Sequence, residues 1–337
     1  MSQNKSSYFS APPPHVFKLP IGLSLPTKGD NSFVAEWFDF CMDIRVPVSI
    51  ALGYATLVHT ANHFRKTNKK PLAICNTQFF KTLVLIHNIG LCVYSAWTCI
   101  GMSAAIYRTV FEVAKVGVSG HRGAQQYLRG ESPLLSSNGF WRSLCDLNDG
   151  IWEEGLRFYG FFFYLSKFYE VFDTVIILAK GKQSSMLQTY HHAGAMLSMW
   201  AGIRFASPPI WIFVVFNSLI HTLMYFYYTL SALKVTIPTV LKRALTTAQI
   251  TQFVFGGSFG VVHLFVYYFN PSTGNFSACL NDAGQSFALL FNVAYLTPLT
   301  YLFVMFWIDS YLKGANKLKE ANKLKVSQDV RQTKKTT

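Results

Sequence analysis

Four short stretches of this chain gather polar side chains at helical spacing inside otherwise apolar sequence. The first reads Lys167-Phe168-Tyr169-Glu170-Val171-Phe172-Asp173-Thr174. Offsets of three and seven put Lys167, Glu170 and Thr174 on one helix face, with Asp173 at its border. In the second, Gln188-Thr189-Tyr190-His191-His192, offsets of three and four bring Gln188, His191 and His192 together. In the third, Asn217, His221 and Tyr228 share a face, with Met224, Tyr225 and Tyr227 beside them. The fourth is a ladder of Thr246, Gln249 and Gln252. Groups of these types move protons, attack carbonyl carbons and hold anions. An ionisable side chain at the centre of a membrane helix costs at least ~2.5 to 3.5 kcal/mol, so a cluster of them there is a functional hypothesis by default. Each stretch also has a structural alternative: a Lys–Glu pair that only packs, tyrosines forming an interfacial belt, glutamines gluing helices together. Two adjacent histidines beside a glutamine, and a further carboxylate beyond a Lys–Glu pair, fit those alternatives poorly.

The elements that must carry these residues follow from composition. Of 337 residues, 51% are hydrophobic, 16% aromatic and only 14% charged, against the ~25% charged residues usual in soluble domains. Apolar stretches occur at about 46 to 64, 82 to 107, 156 to 179, 186 to 206, 209 to 230, 245 to 269 and 285 to 310. The expectation is an all-α polytopic membrane protein with seven spans. Its organisation divides into an N-terminal segment at 1–45, a seven-helix body at 46–310 and a Lys-rich tail at 311–337, read as a helical extension that frays. No apolar signal-peptide region precedes the first span, which is therefore expected to act as its own insertion signal. The net charge of +14 would suggest nucleic acid in a soluble protein, but the bases lie between apolar runs, where a membrane surface and an anionic substrate are the better partners.

Placement of Lys and Arg sets the expected orientation. With the C-terminus cytosolic, 18 of the 30 bases fall in short cytosolic segments and ten in the longer segments opposite. The N-terminus is then lumenal. Cys145 and Cys279 both fall in lumenal loops, where an oxidising compartment would let them pair, the alternative being two free thiols. Cys41, Cys75, Cys92 and Cys99 read as packing residues or free thiols, and the absence of any CxxC argues against a zinc ribbon. Sequons at Asn4 and Asn275 fall on the lumenal side, Asn275 too near the bilayer to be modified.

Taken in order, Lys167-x-x-Glu170-x-x-Asp173-Thr174, His191-His192, Asn217-x-x-x-His221-x-x-Met224-Tyr225-x-Tyr227-Tyr228 and Thr246-x-x-Gln249-x-x-Gln252 resemble the motif series of the ELO family of fatty-acid elongases. The resemblance extends over all seven apolar stretches, including His87-Asn88 in the second, and is closest to fungal members. Residues 1 to 40 and the tail carry none of it. One position departs from the pattern: the family box is most often His-x-x-His-His, and Gln188 stands where its first histidine would be.

The resemblance implies a multi-pass endoplasmic-reticulum 3-oxoacyl-CoA synthase that condenses a long-chain acyl-CoA with malonyl-CoA, releasing carbon dioxide and CoA. No cofactor or metal is implied. Expected partners are the two CoA substrates, membrane lipids, the reductases and dehydratase of the elongation cycle, and a second copy of the chain as a homodimer. The resemblance assigns an acyl-imidazole nucleophile to His191, with His192 orienting it or exchanging protons with it. His221 and Asn217 would polarise the thioester or hold the enolate oxygen. Lys167, Glu170 and Asp173 would fix histidine tautomers and bind the malonyl end. At the cytosolic mouth Lys180, Lys182, Lys234, Lys242 and Arg243 suit the phosphates of CoA, or serve only the positive-inside rule. Thr246, Gln249, Gln252, Tyr225 and Tyr228 lie just inside. Phe158, Phe161, Phe162, Phe163 and Trp200 would line an acyl tunnel or face lipid. The ending Lys334-Lys335-Thr336-Thr337 resembles a di-lysine retrieval signal. Two other classes compete. A membrane di-iron desaturase would use His59-x-x-x-His63 with His191-His192, but nine histidines, three of them (His15, His121 and His263) towards the lumen, leave too few ligands. A seven-span receptor shares the orientation but has no use for buried Lys-Glu-Asp and His-His arrays.

Overall fold

The computed structural model describes residues 7–26, 32–112, 139–271 and 273–313. Asn4, His121 and the tail beyond 313 with its di-lysine ending lie outside the described residues. The helices are α1 Ser32–Met42, α2 Arg45–Thr67, α3 Gln78–Tyr107, α4 Phe140–Cys145, α5 Arg157–Tyr169, α6 Phe172–Ala179, α7 Met186–Arg204, α8 Trp211–Ala232, α9 Thr239–Val262 and α10 Ala283–Trp307. Each of the seven apolar stretches forms helix, the third as the broken pair α5 and α6. Gln78–Phe111, Pro208–Ala232 and Ala283–Leu312 are long and apolar enough to cross a membrane, and Ala35–Met42 with Arg45–Thr67 would add a fourth span bent by 62°. The others are cut short at Glu170–Val171 or diluted by the polar residues of α7 and α9.

Side-chain caps set the starts of the helices that carry the site. Thr77 accepts from the Phe80 amide ahead of α3, Ser185 from the Gln188 amide ahead of α7, and Asp282 from the Gln285 amide ahead of α10. Packing runs α3 to α8, α8 to α9, α9 to α10, α10 to α7, α7 to α5 and α5 back to α3, a closed ring of six helices with α2 laid outside against α7. The largest buried cluster lies towards one end of this ring and includes Trp152, Leu156, Phe161, Tyr164, Trp200 and Ile203. Gly181, at φ +76° in the α6–α7 turn, passes so close to the backbone at Lys69 and Lys70 that any side chain would collide.

The described residues are mostly helical, as expected, with one local correction. The sixth stretch was expected to run helical to 269, but α9 ends at Val262 and Val266–Asn270 forms a strand, β2, paired with Asn275–Ala278 (β3) and with Ser7–Phe9 (β1) in the order β1-β2-β3. The run Val266-Tyr267-Tyr268-Phe269 is β-branched and aromatic, and the following turn closes on Gly274 at φ +68°. Tyr8 stacks on Tyr267 at 5.0 Å. At this end Cys145 and Cys279 form a disulfide, with Cα atoms 4.8 Å apart. Arg204 donates to the carbonyls of Leu23 and Ser24, and the His15 ring binds the Leu280 carbonyl. Residues from four parts of the chain therefore close one end of the ring.

Candidate active site

The break between α5 and α6 arranges the carboxylates. The Asp173 amide bonds to the Glu170 carbonyl and the Thr174 amide to that of Val171, so the turn tightens to i→i+3 bonding. The tightened turn redirects the side chains that follow it, and Asp173 turns to His87 and Tyr225. Thr174 leaves the expected Lys167–Glu170 face and instead meets the Tyr54 hydroxyl on α2 at 2.8 Å. Here the single-helix reading fails, because it assumed 3.6 residues per turn through 167–174.

Lys167 and Glu170 are both 2% exposed and 2.7 Å apart. Ser166 Oγ also donates to Glu170 Oε1, and the Lys167 ammonium lies 3.9 Å over the Phe163 ring. A second contact of Lys167 Nζ, 3.2 Å to Asn217 Oδ1, links α5 to α8. His221 Nδ1 stands 3.6 Å from Glu170 Oε1, too far for a hydrogen bond. Asp173 forms a separate unit: its Oδ1 is 2.9 Å from His87 Nε2 on α3, and its Oδ2 accepts from Tyr225 on α8 at 2.6 Å. The motif therefore divides into two polar groups, both tied to neighbouring helices.

On α7 the two histidines take different partners. His192 is buried, and its Nε2 lies 2.7 Å from the Gln188 amide nitrogen. Gln188 therefore supports His192 rather than His191, as its offset of four places it directly below that ring. His191 is half-buried and reaches across to α10, where its Nδ1 meets the Tyr295 hydroxyl at 2.9 Å. Ring centroids put His191 5.3 Å from His192 and 6.2 Å from His221. Glu170 Oε2, His192 Nδ1 and His221 Nδ1 are buried without a hydrogen-bond partner among the described residues.

Two cavities meet at this centre. The larger, about 740 Å³, runs from the α6–α7 and α8–α9 turns inward past Lys180, Lys242, Thr246, Gln249, Tyr225 and Tyr228 to Asp173, His192 and His221. The smaller, about 50 Å³, continues as a narrow apolar slot between Phe163, Met199, Ile212, Phe213 and Leu299. His191, Asn217, Gln252 and Phe253 line both. Lys182, Lys234 and Arg243, expected at the mouth, line neither of these two; Arg243 stacks over Trp307 at 4.8 Å and faces a groove on the outer side of α8 and α9. Of the five aromatic residues expected in a tunnel, Phe163 lines the slot, whereas Phe161 and Trp200 are buried in the large cluster and Phe158 and Phe162 pack beside Trp97. His59 and His63 are exposed on α2 and line neither cavity. Cys41, Cys75, Cys92 and Cys99 also line neither.

Tyr295 and the buried Asn292 are site residues that the four motifs miss. A signal for them exists in the last apolar stretch, where Gln285, Asn292 and Tyr295 recur at spacings of seven and three.

Residues 40–319 match the ELO family, described as the GNS1/SUR4 family. Fatty acid elongase 2 of Trypanosoma brucei brucei is 31% identical over 190 residues, covering 56% of this chain and 68% of that protein. Fatty acid elongase A of Dictyostelium discoideum is 25% identical over 280 residues, 82% of this chain and 87% of that protein. Very long chain fatty acid elongase 3 of Mus musculus is 34% identical over 108 residues, 32% of this chain and 40% of that protein. No solved structure matches the chain significantly.

Proposed function

The chain belongs to the ELO family of fatty acid elongases, and from that premise we propose that it is the condensing enzyme of elongation, a 3-oxoacyl-CoA synthase working through an acyl-imidazole at His191. The observation that carries this reading is that His191 stands on the wall shared by a wide cavity that carries lysines, histidines and tyrosines and a narrow, almost wholly apolar one. A long-chain acyl-CoA has those two halves, and its thioester lies where they join.

His191 Nε2 attacks the thioester carbonyl, the C–S bond breaks, and CoA leaves as thiolate. Malonyl-CoA then occupies the wide cavity and loses carbon dioxide to give the thioester enolate. The enolate carbon attacks the acyl carbon, the C–N bond breaks, and its electron pair returns to Nε2. Covalent catalysis divides one difficult condensation into these two transfers. Asn217 suits the developing oxyanion, because Lys167 can only donate and so holds the amide oxygen, leaving the amide N–H groups to the cavity. Lys180 and Lys242, on the wall of the wide cavity, suit the CoA phosphates. Reaction needs the two CoA thioesters and no cofactor.

We place the protein in the endoplasmic-reticulum membrane with seven spans, the N-terminus lumenal and the tail cytosolic. Supporting this topology, the ends of the seven helical segments alternate so that the disulfide and the sheet fall together at one end and Lys180 and Lys242 at the other. The products would pass to the reductases and dehydratase that complete a two-carbon extension. Purified protein given long-chain acyl-CoA and radiolabelled malonyl-CoA should form 3-oxoacyl-CoA and carbon dioxide in equal amounts; decarboxylation without chain extension would refute a condensing enzyme.

A further inference from the structure

We infer that Tyr295 is a positioning residue that fixes His191 in the tautomer with hydrogen on Nδ1, leaving Nε2 as the bare nitrogen facing the cavities. This rests on the synthase reading and adds to it a residue outside the four motifs. The Tyr295 hydroxyl makes two contacts with one residue: it donates to the His191 backbone carbonyl at 3.0 Å and lies 2.9 Å from His191 Nδ1. A phenol has a single hydrogen, and a carbonyl oxygen can only accept. With that hydrogen committed to the carbonyl, the second contact closes only if Nδ1–H donates to the phenol oxygen. The reverse arrangement would set the phenol lone pairs against the carbonyl oxygen. Histidine in water favours the opposite tautomer, so the protein has to impose this one. Among the described residues the His191 ring makes its hydrogen bond through Nδ1, to Tyr295.

The surroundings hold the phenol in place. The Tyr190 ring stacks on the Tyr295 ring at 5.6 Å, and its hydroxyl donates to the Tyr295 carbonyl at 3.2 Å. Gly194, one turn beyond Tyr190 on α7, gives the ring its room: a methyl at this position would overlap the Tyr295 ring. The Tyr190–His191 pair is thus bound to α10 at three points, two through His191 and one through Tyr190.

In the acylation step Nε2 gains the acyl group and the ring becomes cationic, with Nδ1–H still held by the phenol oxygen. When the enolate displaces the ring, the electron pair returns to Nε2 and the starting tautomer is restored without any proton transfer at His191. Without Tyr295 the ring samples the form whose Nε2 bears hydrogen and cannot attack.

The test uses full-length protein with 13C- and 15N-labelled histidine in lipid bilayers, the His191 signals being assigned by subtraction with His191→Asn. Solid-state NMR should find His191 with hydrogen on Nδ1, and Tyr295→Phe should move it towards the Nε2–H form. Acyl-enzyme formation from acyl-CoA alone, followed by intact mass, should slow on the order of 100-fold in Tyr295→Phe with little change in half-saturation. Gly194→Ala, which displaces the ring without removing the hydroxyl, should produce the same shift. Hydrogen on Nε2 of wild-type His191 would overturn the inference, as would wild-type acylation rates in a Tyr295→Phe protein. The two failures are separable, because absence of condensation by wild-type protein refutes the synthase, whereas the tautomer is read with no substrate present.

Discussion

Lys167 donates to the side-chain oxygen of Asn217 across 3.2 Å, and this one contact decides which face of the amide meets the cavity. A lysine ammonium has no acceptor, so the amide cannot turn over without losing the bond. Asn217→Asp should therefore attract Lys167 more strongly while removing the N–H donors from the cavity. Condensation is expected to fall on the order of 100- to 1000-fold in a protein that still folds, the usual loss for one oxyanion donor. Steady-state rates against thermal unfolding of the same preparation measure both, and an active Asn217→Asp enzyme would remove Asn217 from the oxyanion site.

His191→Ala is expected to abolish condensation. Wild-type protein incubated with radiolabelled acyl-CoA should carry a hydroxylamine-sensitive label that His191→Ala lacks. His192→Ala should retain some label, since His192 is turned to Gln188 and not to the wall between the cavities. A label that persists on His191→Ala would move the nucleophile to another side chain, with His192 at 5.3 Å and His221 at 6.2 Å between ring centroids the alternatives.

Gln188→His should preserve condensation to within about tenfold, because an imidazole at the same offset can also bond His192. Gln188→Leu should lower it further, since it leaves His192 Nε2 as well as Nδ1 without a partner in a buried site. The pair of variants, compared by initial rate at saturating substrate, separates a supporting role from direct contact with substrate. Equal rates in both would show that the 2.7 Å contact does nothing for the reaction.

Residue types and spacing revealed much of this centre. Lys167, Glu170, His191, Asn217, His221 and the Thr246 to Gln252 ladder were all legible, because unpaired polar groups in apolar helices are costly enough to stand out. What periodicity could not give was the break at Glu170–Val171, which transfers Asp173 to His87 and Tyr225 and sends Thr174 to Tyr54. A helical wheel assumes an unbroken helix, and only the packing of α3 and α8 against the broken one selects new partners. Tyr295 was hidden for another reason: a tyrosine in an apolar run, even at helical spacing from Gln285 and Asn292, reads as packing until the helix facing it is known. The β2–β3 hairpin was hidden because apolar runs of β-branched and aromatic residues at a helix end carry no period of their own.

The disulfide offers a test that is independent of the chemistry. Cys145 ends α4 and Cys279 follows β3, so their bond fastens the segment before α5 to the loop before α10 across 134 residues of sequence. Both helices contribute to the site, α5 through Lys167 and α10 through Tyr295, but the bond itself lies at the opposite end of the ring from the wide cavity's mouth. Its removal should therefore affect stability before rate. Cys145→Ser with Cys279→Ser is expected to lose ~2 to 4 kcal/mol of folding free energy in the loop-entropy picture. That corresponds to a fall in unfolding midpoint of roughly 3 to 6 °C for a chain of this length, with condensation at 25 °C close to wild type. Non-reducing peptide mapping of native membranes should recover the cross-linked pair. Two free thiols in the native protein would contradict the bond, and modification of either by a reagent confined to the cytosolic face would contradict the orientation as well.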